Sequence, residues 1–159
     1  MRKVVGVADM AVSNNVDEVL VTYSLGSCIA VIIFDPVARV GGMLHYMLPE
    51  SSLDPEKAKQ NPRMFADTGI ATLFKQSYQL GARKENIVVK VVGGAQILDA
   101  AGVFNIGKRN YVAMRKIFWR NNVMVTAEHV GGVVNRTVRL DMSTGRVLLK
   151  VGGETEIEI

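Results

Sequence analysis

The sequence predicts a single mixed α/β (α+β) domain in which packed mixed and antiparallel sheets are flanked by about two helices. Three observations carry that reading. Runs of β-branched residues recur along the chain, two stretches show apolar residues at helical spacing, and no repeat, low-complexity tract or linker composition divides residues 1–159. With 159 residues, 48% of them hydrophobic, one domain of this size buries about two-thirds of the surface its unfolded chain exposes.

The elements follow in order. Residues 4–12 and 19–23 are rich in β-branched side chains and read as two strands of a hairpin, with Asn14 and Asn15 supplying turn chemistry. Residues 29–34 are continuously apolar, as in a strand covered on both faces, and Asp35-Pro36 ends that strand before another over 39–48. Residues 51–61, preceded by Pro49 and holding Pro55 and few apolar side chains, read as a long irregular stretch, a candidate flap beside any site at the end of the preceding strand. Over 62–80, Phe65, Ala66, Ile70, Leu73, Phe74 and Ser77 recur at helical spacing, and Gly81 supplies the stop. A buried strand over 87–92 runs into Gly93-Gly94. Residues 108–121 form an amphipathic helix with Tyr111, Met114, Ile117 and Phe118 on one face and Arg115, Lys116 and Arg120 largely off it. Strands over 123–129, 137–142 and 146–151 make the last third mostly antiparallel β.

Composition excludes several functions. A lone cysteine cannot form an internal disulfide, which fits a reducing cytoplasm, and the N-terminal apolar run is broken by Gly6 and Asp9 before it becomes a signal-peptide core. No apolar stretch reaches the roughly 18 residues a membrane helix needs, so no membrane insertion is expected. Net charge is +4, and the basic pairs Arg83-Lys84, Lys108-Arg109 and Arg115-Lys116 are scattered among few aromatics, which favours a solvated basic surface over nucleic-acid binding. One Cys and two His without paired ligand spacing are too few for a dedicated metal site, and Gly93-Gly94-Ala95 lacks a phosphate-cradling pattern. No metal or organic cofactor is expected.

The chemistry centres on Cys28. A thiol becomes a useful nucleophile when an imidazole within reach takes its proton, and otherwise it is buried filler. His45, behind Gly41-Gly42, and His129, before Gly131-Gly132, both stand beside a glycine pair, and pattern alone does not choose between them. Gly26 and Ser27 keep the approach to the thiol small and offer backbone N–H groups to an oxyanion. Thr22 is a candidate third group to orient the imidazole, against the ordinary role of a strand threonine.

The order of motifs resembles the CheD family of chemoreceptor glutamine deamidases over nearly the whole chain. The matching pieces are Leu25-Gly26-Ser27-Cys28, Gly41-Gly42-Met43-Leu44-His45 with Leu48-Pro49, Lys90 to Ala95, Ile106-Gly107-Lys108-Arg109-Asn110, Glu128 to Gly132, and Thr144-Gly145-Arg146. The resemblance implies a papain-like Cys-His hydrolase site with Cys28 as nucleophile, His45 rather than His129 as base, and Thr22 as third member. Asn135 departs from it, since a glycine is expected before Arg136. The implied substrate is a set of glutamines in the cytoplasmic helical bundle of chemoreceptors, converted to glutamate in bacterial and archaeal chemotaxis adaptation. The implied second partner is a CheC-type phosphatase of the response regulator, which such proteins bind and stimulate; a chain that only regulated that phosphatase is the alternative. Phe104 is an apolar candidate for a partner patch, against the ordinary role of a core anchor. No heptad or exposed strand signal argues against a monomer.

Overall fold

The computed structural model describes residues 1–96 and 105–159, and the strands and helices below are those of the described residues. In chain order they are β1 (Arg2–Val4), β2 (Asp9–Ser13), β3 (Val19–Leu25), β4 (Ile29–Asp35), β5 (Val40–Tyr46), α1 (Pro55–Gln60), α2 (Ala66–Gln79), β6 (Val88–Gly93), α3 (Ile106–Arg120), β7 (Val125–Val130), β8 (Arg136–Asp141), β9 (Val147–Val151) and β10 (Ile157–Glu158). Phe104 lies outside the described residues.

The strands form two five-stranded sheets, ordered β1-β3-β8-β9-β10 and β2-β5-β4-β6-β7. The second sheet is the middle layer. One of its faces packs on the first sheet through Ala30, Ile32, Phe34 and Met43 against Leu20, Leu25, Leu140 and Leu149. Its other face meets α2 and α3 through Ile29, Val31, Ile33 and Leu44 against Ile70, Leu73, Met114 and Phe118. Every residue of β4 is buried, which is why its sequence is a continuous apolar run rather than an alternating one.

Four expectations are corrected. The hairpin of 4–12 with 19–23 does not form: the strand is interrupted between Val4 and Asp9, where Ala8 has φ of 56°, and its two halves join different sheets. β1 runs parallel beside β3, while β2 pairs antiparallel with β5, Ala11 opposite Met43. The Asn15 turn is present, its side chain accepting from Asp17 N–H at 3.0 Å, but it passes the chain between sheets. Within 51–61 lies the short helix α1, capped by Asp54, which accepts from Lys57 N–H at 3.1 Å, and opened by Pro55. It buries no residue, so no apolar periodicity announced it, and the helices number three rather than about two. The helix expected from residue 62 begins at Ala66, after a tight turn at Pro62–Met64 and an extended Phe65. In the C-terminal third, β7 is parallel to β6, whereas β8, β9 and β10 are antiparallel as expected. No helix among the described residues is long and apolar enough to cross a membrane.

Candidate active site

Cys28 lies in the turn between β3 and β4, so it is carried from the first sheet into the second. Ala30 is paired with His45 across β4 and β5. Cys28, two residues before Ala30, is therefore a diagonal neighbour of His45 on the face turned toward the first sheet. The adjoining Tyr46 hydroxyl feels the charge of a Cys28 thiolate, a cause second to burial in raising its pKa. Burial pushes the Cys28 thiol up to about 11 and the His45 imidazole down to about 4. Both groups are thus neutral at rest near pH 7.

Thr22, on β3 of the opposite sheet, meets His45 in the inter-sheet core, where the two are 1% and 2% exposed. Its hydroxyl donates to the Val5 carbonyl at 2.7 Å and lies 2.7 Å from His45 Nδ1. With its single proton committed to Val5, the Thr22 oxygen accepts from Nδ1–H, which leaves the lone pair on Nε2. Nε2 is buried and makes no hydrogen bond among the described residues. An imidazole held in this tautomer can take a proton at Nε2 from a thiol or from water.

The Cys28 turn is itself pinned. Ala95 N–H donates to the Gly26 carbonyl and Gly94 N–H to the Cys28 carbonyl, each at 2.9 Å. That close approach requires Gly93, whose φ is 118° and where a Cβ would collide with the Cys28 carbonyl oxygen. The Ser27 carbonyl is held by the side-chain amide of Asn110 on α3. Neither Ser27 N–H nor Cys28 N–H has an acceptor among the described residues.

His129 is brought to the same sheet face but not to the same place. Val92 is paired with Ala30 on one side and with His129 on the other, so three strand spacings, roughly 14 Å, separate the two histidines. His129 Nδ1 accepts from Arg136 Nε at 2.8 Å, and burial followed by the guanidinium charge lowers its pKa. Arg136, 3% exposed, also donates to the carbonyls of Gly93 and Gly131 at 3.2 and 2.7 Å. His129 thus belongs to a clamp on the glycine loops. Asn135, the departure from the expected glycine, offers its carbonyl to Gly152 N–H at 2.9 Å.

Two buried polar residues went unassigned in the sequence reading. Asn110 falls four, seven and eight residues before Met114, Ile117 and Phe118, a polar position inside an apolar helical stripe, and that interruption was its signal. Arg136 occupies a buried position in the alternating strand β8. No cluster of three or more His, Cys, Asp or Glu with metal-binding geometry occurs among the described residues.

A basic groove of about 590 Å³ is lined by Pro49 and Glu50 beyond β5 and by Lys108, Arg109, Val112 and Lys116 of α3.

A family model described as CheD chemotactic sensory transduction matches residues 47–151. A relative from Syntrophus aciditrophicus, named a probable chemoreceptor glutamine deamidase CheD 1, is 57% identical over 150 residues, 94% of each chain. One from Solibacter usitatus with a like name is 49% identical over 151 residues, 95% of this chain and 89% of its own. The Thermotoga maritima protein named chemoreceptor glutamine deamidase CheD is 41% identical over 160 residues, spanning 100% of this chain and 98% of its own. The family-model match begins after His45, whereas these relatives run over more than nine-tenths of the chain.

Proposed function

The chain belongs to the CheD family of chemotactic sensory transduction proteins, and from that premise we propose that it hydrolyses the side-chain amides of selected chemoreceptor glutamines to glutamate and ammonia. The observation that carries the mechanism is the buried Thr22–His45 bond, which leaves an unpartnered Nε2 on the sheet face that Cys28 shares. Cys28 gives its proton to His45 Nε2 as Sγ attacks the amide carbonyl carbon, and the oxyanion is held by N–H groups of the Gly26-Ser27-Cys28 turn. The imidazolium protonates the departing nitrogen, ammonia leaves, and a thioester to Cys28 remains. His45 then takes a proton from water, the hydroxide adds to the thioester, and collapse returns glutamate and the free thiol. Thr22 fixes the tautomer throughout. Because thiol and imidazole rest neutral, the ion pair forms only as substrate fills the cleft, which departs from the resting ion pair of papain-type sites.

The basic groove along α3 suits recruitment of an acidic helical surface, since Lys108, Arg109 and Lys116 line it with one carboxylate, Glu50. Turnover at low substrate therefore falls as salt rises. The reaction belongs in the cytoplasm, where the receptor helices lie. From the family resemblance we also propose binding to, and stimulation of, a CheC-type phosphatase by a chain that is otherwise monomeric.

The test is ammonia release from a chemoreceptor cytoplasmic fragment carrying glutamines at its modification sites. Release by the wild type and none by Cys28→Ala is the expected result. If neither protein releases ammonia while both bind the phosphatase, the alternative of a purely regulatory partner holds instead.

A further inference from the structure

All three carbonyls of the Gly26-Ser27-Cys28 turn are tethered, and the middle tether differs in kind. Those on Gly26 and Cys28 come from backbone N–H groups of Ala95 and Gly94. The one on Ser27 comes from Asn110 Nδ2 at 2.9 Å, a side chain of zero exposure on α3. Its second hydrogen goes to the Met47 carbonyl at 2.8 Å, two residues beyond His45. Tyr46 in turn donates its hydroxyl to the backbone carbonyl of Asn110 at 2.6 Å. A single amide nitrogen thus joins the turn that carries the thiol to the exit of the strand that carries the imidazole.

Packing alone does not call for this residue. Burying a primary amide is costly unless its polar atoms are satisfied, and Asn110 Oδ1 has no partner among the described residues. What is retained at that cost is the pair of bonds from Nδ2. The chain has no cis peptide bond among the described residues, so the Ser27 carbonyl and the Cys28 N–H point in opposite directions across one rigid plane. Fixing the carbonyl on Asn110 fixes the direction of the N–H, which has no acceptor among the described residues.

We infer that Asn110 is a positioning residue for deamidation: through the Ser27–Cys28 peptide it aims the Cys28 N–H as an oxyanion donor, and through Met47 it holds that turn against the His45 strand. The inference rests on Cys28 acting as nucleophile.

Two reactions of the same thiol test it. Amide hydrolysis develops an oxyanion, whereas alkylation by iodoacetamide does not. Losing an aligned oxyanion donor costs about 100-fold or more in kcat, so Asn110→Ala is expected to lose about that much in deamidation with KM little changed. Its Cys28 alkylation rate stays at the wild-type value. A parallel loss of both reactions, or a loss of neither, overturns the inference. Wild type and Cys28→Ala run alongside: turnover by the first and none by the second upholds the nucleophile itself, so failure of that reading is seen separately. Should Asn110→Ala not fold, Tyr46→Phe removes the bond to the Asn110 backbone and keeps the ring in the core. Its kcat is expected to fall about five- to tenfold with alkylation unchanged, and an equal fall in both rates contradicts the inference.

Discussion

Thr22 has one hydroxyl proton and two neighbours, the Val5 carbonyl and His45 Nδ1, and that count decides the imidazole tautomer. Thr22→Val leaves a buried Nδ1–H without an acceptor, a cost of about 1–3 kcal/mol that corresponds to roughly 5- to 150-fold in kcat; Thr22→Ser restores the oxygen and most of the rate. Steady-state kinetics on a receptor fragment reads both. Cys28 gives a second test, because burial holds its thiol neutral up to about pH 11. Its alkylation by iodoacetamide in the substrate-free protein rises about tenfold per pH unit through the neutral and alkaline range, and a plateau below pH 8 would mean a resting thiolate. At this scale the sequence was partly legible. A lone cysteine after a small-residue turn and a histidine behind two glycines were visible as chemistry. Pattern alone left His45 and His129 level and only the family resemblance preferred His45, because their separation is a matter of register: two strands lie between the histidines, and Arg136 occupies Nδ1 of the second.

The elements that came through most directly are those whose packing writes a pattern. β4 is buried on both faces and reads as an unbroken apolar run, and α2 and α3 each bury one stripe. α1 buries nothing and is held by the Asp54 cap and Pro55, so hydrophobic periodicity could not reveal it. The missed split between β1 and β2 has the same origin, because pairing between distant segments leaves no local mark; Val5 and Met10 enter different cores. The exit of β6 governs the site at this scale. Gly93→Ala places a methyl group against the Cys28 carbonyl and forces a non-glycine residue to φ of 118°. A loss of about 1–3 kcal/mol in denaturant stability is expected, with kcat reduced by more than KM because the Cys28 turn is displaced.

For the molecule as a whole, the proposed site depends on joining two sheets. Thr22 comes from one, His45 from the other, and Cys28 from the turn between them, so the site exists only when the sandwich is closed. That arrangement has a measurable effect on stability. His45 titrates near 6.5 when unfolded and near 4 when folded, so below 6.5 the unfolded chain binds a proton that the native chain refuses. Stability therefore falls as pH drops from 6.5 toward 4, by about 3 kcal/mol from this residue, and levels off below. Denaturant melts of the wild type and of His45→Gln across that window check the sign, with the variant showing the shallower slope. The layer order itself was not readable from the sequence, because both sheets offer the same β-branched strands and only their long-range pairing separates them.

The central claim is a thioester between Cys28 and a receptor glutamyl side chain, and acid quenching during turnover followed by mass spectrometry of the Cys28 peptide tests it most directly. The account expects an adduct on Cys28 that hydroxylamine cleaves and that is absent from Cys28→Ala. Deamidation that continues in Cys28→Ala, with no adduct on the wild type, would contradict it.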